Sequence, residues 1–133
     1  MNAHFTSSSS RKSRKIRITS WALQLLAAAA FIAAGSAKLA AIPMMVDIFD
    51  RIGFGQWLRI FTGIVEITGG LALLIPAAAA YGGVVLACTM AVGVMTHLLI
   101  IGGNPAPAIL LFIMTASIAY LRRDSFLIFF GIK

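Results

Sequence analysis

Three ionisable side chains lie in apolar surroundings, and they are where this sequence could do chemistry: Glu66 in "RIFTGIVEITGGLALLIP", Lys38 in "GSAKLA" and His97 in "GVMTHLLI". A carboxylate can take up and release a proton, an imidazole can donate or relay one near neutral pH, and an ammonium can balance the charge that exchange leaves behind. In a bilayer such groups are costly. A charged side chain at the centre costs at least about 2.5–3.5 kcal/mol on insertion scales, so it must be neutralised, paired or put to use. Arg59, at the start of the run that holds Glu66, is a weaker candidate for contacting a cofactor. Beside Trp57 it also reads as an interface anchor. Each of the other three has a purely structural reading too: Lys38 as a snorkelling anchor, His97 as a helix-packing histidine, and Glu66 as a protonated or hydrogen-bonded packing residue.

The elements that position these residues follow from composition. The chain has 133 residues, 60% hydrophobic and 11% charged, with a mean hydropathy of +0.96. Such a chain belongs in a membrane rather than among soluble domains. Spans of about 20 apolar residues fit four times with short connections. The expected spans are residues 20–40, 57–75, 78–101 and 107–121, within a membrane domain at 19–123.

Residues 1–18 read as a disordered cytoplasmic tail, serine-rich and then basic, and residues 124–133 as an interfacial tail. Between the first two spans, Met44, Met45, Ile48, Phe49 and Ile52 fall at helical spacing opposite Asp47, Asp50 and Arg51. That pattern predicts an interfacial helix at 43–52, opened by Pro43. A cleavable leader is the rival reading of the first apolar run, but its length and the three later runs favour a span.

The net charge of +7 is concentrated in Arg11, Lys12, Arg14, Lys15 and Arg17. Placed before the first span, these residues read as an orientation signal and a contact for anionic lipid headgroups, not as a nucleic-acid site. Arg122 and Arg123 close the fourth span. With both basic ends on one side, an even number of spans leaves both termini cytoplasmic, in a multi-pass protein of the inner or plasma membrane. The expected fold is all-α, an integral-membrane four-helix bundle.

Helical spacing puts Arg59, Thr62, Gly63, Glu66, Gly69 and Gly70 on one face of the second span. The first span offers Gln24, Ala28, Phe31, Gly35 and Lys38 in steps of four and three, and the third offers Gly82, Leu86, Thr89, Gly93 and Thr96 beside His97. Small and polar seams belong at helix contacts in membranes. At 1.5 Å per residue, Glu66 lies roughly 14 Å below Trp57, His97 roughly 6 Å below Ile101 and Lys38 roughly 3 Å below Ala40. Side chains lean toward their helix N-terminus, outward for Glu66 and inward for the other two, so the three are expected to converge.

Several chemistries are excluded or disfavoured. Cys88 is the single cysteine, so an internal disulfide and a cysteine-based zinc site are excluded. His97 is the one histidine in the apolar runs, and no ligand spacing accompanies it, so no metal site is expected. The chain displays no cofactor motif of its own.

The elements "GSAKLA", "GFGQWLRIFTGIVEITGGLALLIP" and "MAVGVMTHLLI" resemble the DoxX family and its DoxX-like relatives, small four-span bacterial membrane proteins. The resemblance covers Trp21 to Arg123, and its most specific part is Glu66 followed by Gly69 and Gly70. It implies association with redox and oxidative-stress complexes; founding members are linked to a thiosulfate:quinone oxidoreductase. By that analogy a quinone becomes the expected cofactor, and Glu66, His97 and Lys38 a proton-exchange cluster facing it. Two function classes stay open: a subunit of a quinone-linked redox system, and a non-enzymatic assembly or interaction protein whose polar cluster is structural. Redox-complex proteins or further copies of the chain are the expected partners. Transport is a third reading, and it would require an oligomer.

Overall fold

Long runs of Ala, Leu, Ile and Val favour helix where proline is absent, and all four prolines fall at element boundaries here. The computed structural model describes residues 3–129 and 131. Its elements are α1 (Ala3–Leu39), α2 (Pro43–Ile52), α3 (Trp57–Leu73), α4 (Ala79–Thr96), a π turn (His97–Ile101), α5 (Ala106–Leu121) and α6 (Asp124–Phe129). Among the described residues there is no strand.

Helices α1, α3, α4 and α5 pack in a ring, each against the next, with α5 returning to α1. Neighbours run antiparallel. Gln24 near the middle of α1 meets Leu73 at the end of α3, while Gly70 lies against Ala28 and Gly63 against Gly35. The adjacent glycines of α4 serve different partners: a Cβ on Gly82 would lie 3.0 Å from the Gly69 carbonyl of α3, and one on Gly83 2.9 Å from the Thr115 carbonyl of α5. Where lipid surrounds the helices, close packing rather than escape from water drives their association, and small residues permit it.

Phe31, Leu73, Leu86 and Ile118, one from each of the four helices, are fully buried at the centre. Beside them the interior holds Gln24, Arg59, Glu66, Thr115 and Ser125, while Leu26, Phe61, Ile64, Val92, Leu99 and Ile113 stand exposed. A soluble domain has the opposite arrangement. Apolar side chains outside and polar ones inside are what a lipid solvent selects. The segments Ser9–Leu39 and Ala79–Ile101 are long and apolar enough to cross a membrane, and α5 is a shorter apolar helix.

One expectation changes, and two segments gain detail. The basic segment expected to be disordered is helical from Ala3, continuous with the first apolar run, while Met1 and Asn2 lie outside the described residues. Lys and Arg are good helix formers, and a helix already nucleated by its apolar half extends at little cost. Residues 9–19 are exposed, and burial begins at Ser20. The chain after α5 forms α6, tied down by Ser125 Oγ donating to the Pro76 carbonyl at 2.9 Å and by Phe126 edge-on to Tyr81; Phe130, Ile132 and Lys133 of the expected tail lie outside the described residues. The third apolar run ends in a π turn, in which Gly102 N–H donates to the His97 carbonyl at 2.9 Å. Gly102 and Gly103 follow with φ of +69° and +81°, a reversal that glycine makes without steric cost. Helix α2 occupies the expected residues, with Phe49 buried and Asp47, Asp50 and Arg51 exposed.

Candidate functional site

Lys38 lies in the last turn of α1 and Glu66 in the middle of α3. Lys38 Nζ donates to Glu66 Oε2 at 3.0 Å, with the two side chains 13% and 3% exposed. The approach of their helices makes this contact. A Cβ on Gly35 would lie 2.7 Å from the Gly63 carbonyl, and one on Gly63 3.0 Å from the Gly35 carbonyl, so the backbones touch one turn from the pair. An ion pair held this far from water is strong only if its geometry is good, and breaking it leaves a costly lone charge.

Arg59 is 8% exposed and turns into the bundle rather than toward the headgroups. Its Nη1 donates to the Lys38 carbonyl and its Nε to Gln56 Oε1 at 2.6 Å. Gln56 in turn donates to Asp50 Oδ1 at 2.7 Å and to the Val46 carbonyl at 3.0 Å, which anchors α2. The reason lies at the end of α1. Ala41 adopts φ +55° to stop the helix, leaving carbonyls at the negative end of the helix dipole, where a guanidinium is favoured. Arg59 therefore touches Lys38 through its backbone and stands one residue removed from Glu66.

His97 is not brought to this pair. Its Nδ1 donates to the Gly102 carbonyl at 2.9 Å, within its own turn. The structure thus joins Glu66, Lys38 and Arg59 and leaves His97 on the π turn.

A second polar cluster occupies the other end of the bundle, and the sequence reading did not assemble it. Gln24, fully buried, donates from Nε2 to the Leu73 carbonyl at 2.6 Å and accepts from Arg122 Nε at 2.8 Å. The Arg122 guanidinium stacks 5.4 Å from the Trp21 ring, while its Nη2 is buried without a hydrogen-bond partner among the described residues. Gln24 lies on the seam of α1 that periodicity reveals, which was the available signal. Arg122 reads in sequence only as an orientation charge. Gln24→Leu is expected to lower stability by about 2–3 kcal/mol, because it strips a helix-end carbonyl and a buried guanidinium of their shared partner. The thermal midpoint of the purified protein checks this; a midpoint within 2 °C of the parent, a shift worth well under about 1 kcal/mol, would refute it.

The family model described as the DoxX-like family matches residues 22–121, which include Lys38, Arg59, Glu66 and Gln24 and stop one residue short of Trp21 and Arg122 at either end. No curated protein matches the chain. No solved structure matches it either.

Proposed function

The chain belongs to the DoxX-like family of membrane proteins, and from that membership and the buried ion pair we propose that it serves as a subunit of a quinone-linked membrane oxidoreductase or oxidative-stress complex. In this reading α1 from about Ser20, α3, α4 with its π turn, and α5 cross the bacterial inner membrane, and both termini are cytoplasmic. The contact between Arg122 and Gln24 supports that topology, since it puts the basic end of α5 at the basic end of α1.

The observation that carries the reading is a carboxylate 3% exposed, paired with an ammonium that keeps 13% of its surface open. The donor set fits a quinone headgroup. Lys38 has three hydrogens and gives one to Glu66, leaving two for a carbonyl oxygen, and Glu66 keeps an oxygen able to accept from a hydroxyl. A bound quinone would supply a two-electron, two-proton couple, with the electrons drawn from a partner redox protein. Lys38 would orient the headgroup oxygen and balance the carboxylate. Glu66 would exchange the proton, and Arg59 would fix Lys38 by holding the end of its helix.

Glu66→Gln keeps the size and a hydrogen-bond acceptor but cannot exchange protons. Quinone-dependent electron transfer in membrane vesicles is expected to fall about 100-fold at normal protein level. An unchanged rate would sink the redox reading. A second reading, an assembly or interaction protein, is favoured by the position of the pair beside the Gly35–Gly63 contact, where the backbones of α1 and α3 touch. It predicts that Glu66→Gln lowers abundance and thermal midpoint and leaves electron transfer per molecule intact.

A further inference from the structure

An open groove of about 580 Å³ runs between α1 and α5, walled by Thr19 and Leu23 on one side and by Phe112, Ala116, Tyr120 and Leu121 on the other. Its volume falls in the range of sites that house small ligands, about 300–1,000 Å³. From Phe112 to Leu121 it extends roughly 14 Å along α5, about half the ~30 Å hydrocarbon thickness of a bilayer. That is the depth of one leaflet, and the walls are apolar for almost all of it.

The groove ends where the charge begins. Arg123 stacks on Tyr120, a wall residue, with its Cζ 4.2 Å from the ring centre and Nη1 donating to the Tyr120 carbonyl at 2.9 Å. A guanidinium has five donor hydrogens, so Arg123 keeps four for an anion. On α1, Lys15 precedes Thr19 by four residues and Lys12 precedes it by seven, spacings that continue the same helix face. Both are exposed, on a helix continuous with the groove wall. Asp124 is the one acid at this end, against Arg11, Lys12, Arg14, Lys15, Arg17, Arg122 and Arg123.

We infer that this groove is a binding site for one anionic phospholipid, with an acyl chain lying between α1 and α5 and the phosphate held by Arg123, Lys15 and Lys12. Charge complementarity selects the occupant. A zwitterionic lipid would leave three cations at the groove mouth without a net counter-charge, and each base near an anionic headgroup is worth about a five-fold change in affinity. Guanidinium and phosphate also match as forked donors and acceptors. The site rests on the chain lying in a bilayer and owes nothing to the redox reading, because it lies at the opposite end of the bundle from Glu66.

The test uses the full chain in phosphatidylcholine vesicles with a trace of phosphatidylglycerol carrying a photoreactive diazirine in its acyl chain, followed by peptide mass spectrometry. Label is expected to concentrate at least five-fold in residues 19–23 and 112–121 over the outward-facing Ile64 and Val92. The double variant Lys15→Gln, Arg123→Gln should lower groove labelling about 25-fold, the product of two such charges, at unchanged helicity. Ala116→Phe should displace label from the groove and leave it on Ile64 and Val92. A phosphatidylcholine probe labelling the groove equally well would overturn the inference, as would labelling that survives the double variant. Crosslinks between two chains through Phe112 or Ile113 would assign the groove to a second copy instead. Absence of label from Ile64 and Val92 as well would remove the bilayer placement itself, an outcome separate from any result with Glu66→Gln.

Discussion

Lys38→Met is expected to lower stability by about 3–5 kcal/mol, the usual cost of removing one partner from a buried ion pair. Methionine replaces the stem of the lysine at similar length, so the change isolates the charge. What remains is Glu66, 3% exposed, whose carboxylate must stay ionised without compensation or be protonated. The thermal midpoint in mild detergent should fall by roughly 10 °C or more. The second arm of the experiment separates structure from chemistry. In the double variant Lys38→Met, Glu66→Leu both charges go together, and apolar residues of similar size often replace a buried pair at no cost. The double variant should therefore recover most of the lost stability. If it recovers stability and is silent in quinone-dependent electron transfer, the pair has a chemical task that packing does not supply. A double variant as unstable as the single one would show that the pair itself holds α1 to α3.

Gly35→Val should be nearly as severe, about 3 kcal/mol, at the upper end of the usual cost of overpacking. Its Cβ alone would stand 2.7 Å from both the Gly63 carbonyl oxygen and Ile67 Cγ1, and 3.2 Å from Glu66 Cβ. Ile67 can rotate away, but a backbone carbonyl cannot, so α1 and α3 must separate. Separation also stretches the 3.0 Å contact between Lys38 and Glu66, so one substitution damages packing and ion pair together. Gly93→Ala is the control. Its nearest neighbour would be the Ala108 side chain at 4.0 Å, and an alanine in a helix interior gains about 0.5–1 kcal/mol over glycine. A midpoint that falls for Gly35→Val and holds for Gly93→Ala would tie the loss to that contact; equal falls would refute it.

Helical spacing made the faces legible. The stripe of α1 that holds Gln24, Ala28, Phe31 and Gly35 is buried, and so is the α3 face with Gly63, Glu66, Gly69 and Gly70. A small-residue seam has one plausible use in a membrane helix, so period alone locates it. The meeting of Lys38 with Glu66 followed from depth and side-chain lean. The same argument failed for His97 because it assumed α-helical geometry to Ile101, whereas the chain widens into a π turn whose glycine-stopped end offers the ring a nearer acceptor. Arg59 escaped for a related reason. Its partner is the Lys38 carbonyl, at a helix end set by the left-handed Ala41, whose N–H shares that carbonyl, and alanine carries no sequence signal for that conformation. Arg122 reaches Gln24 across 98 positions, a distance over which no local pattern in a single chain is informative.

Helix α1 is one piece of 37 residues, about 55 Å long, and between Arg11 and Ala34 it contains neither proline nor glycine. Kinks in helices arise at such residues, so this stretch behaves as a rod. Its lateral hold runs from Ser20 to Lys38, through Gln24 tied to Leu73 and Arg122, Gly35 against Gly63 and Lys38 on Glu66, while Arg11 stands about 20 Å beyond Gln24 on the exposed side. A rod clamped along one half and free along the other is a cantilever. A sideways push at Arg11 therefore loads the first buried contacts of the helix, at Ser20 and Gln24, with Arg11 on the free half. Whatever presses on the basic stalk, lipid surface or protein, bears first on the joint of Gln24 with Leu73 and Arg122, with no loop in between to absorb the motion.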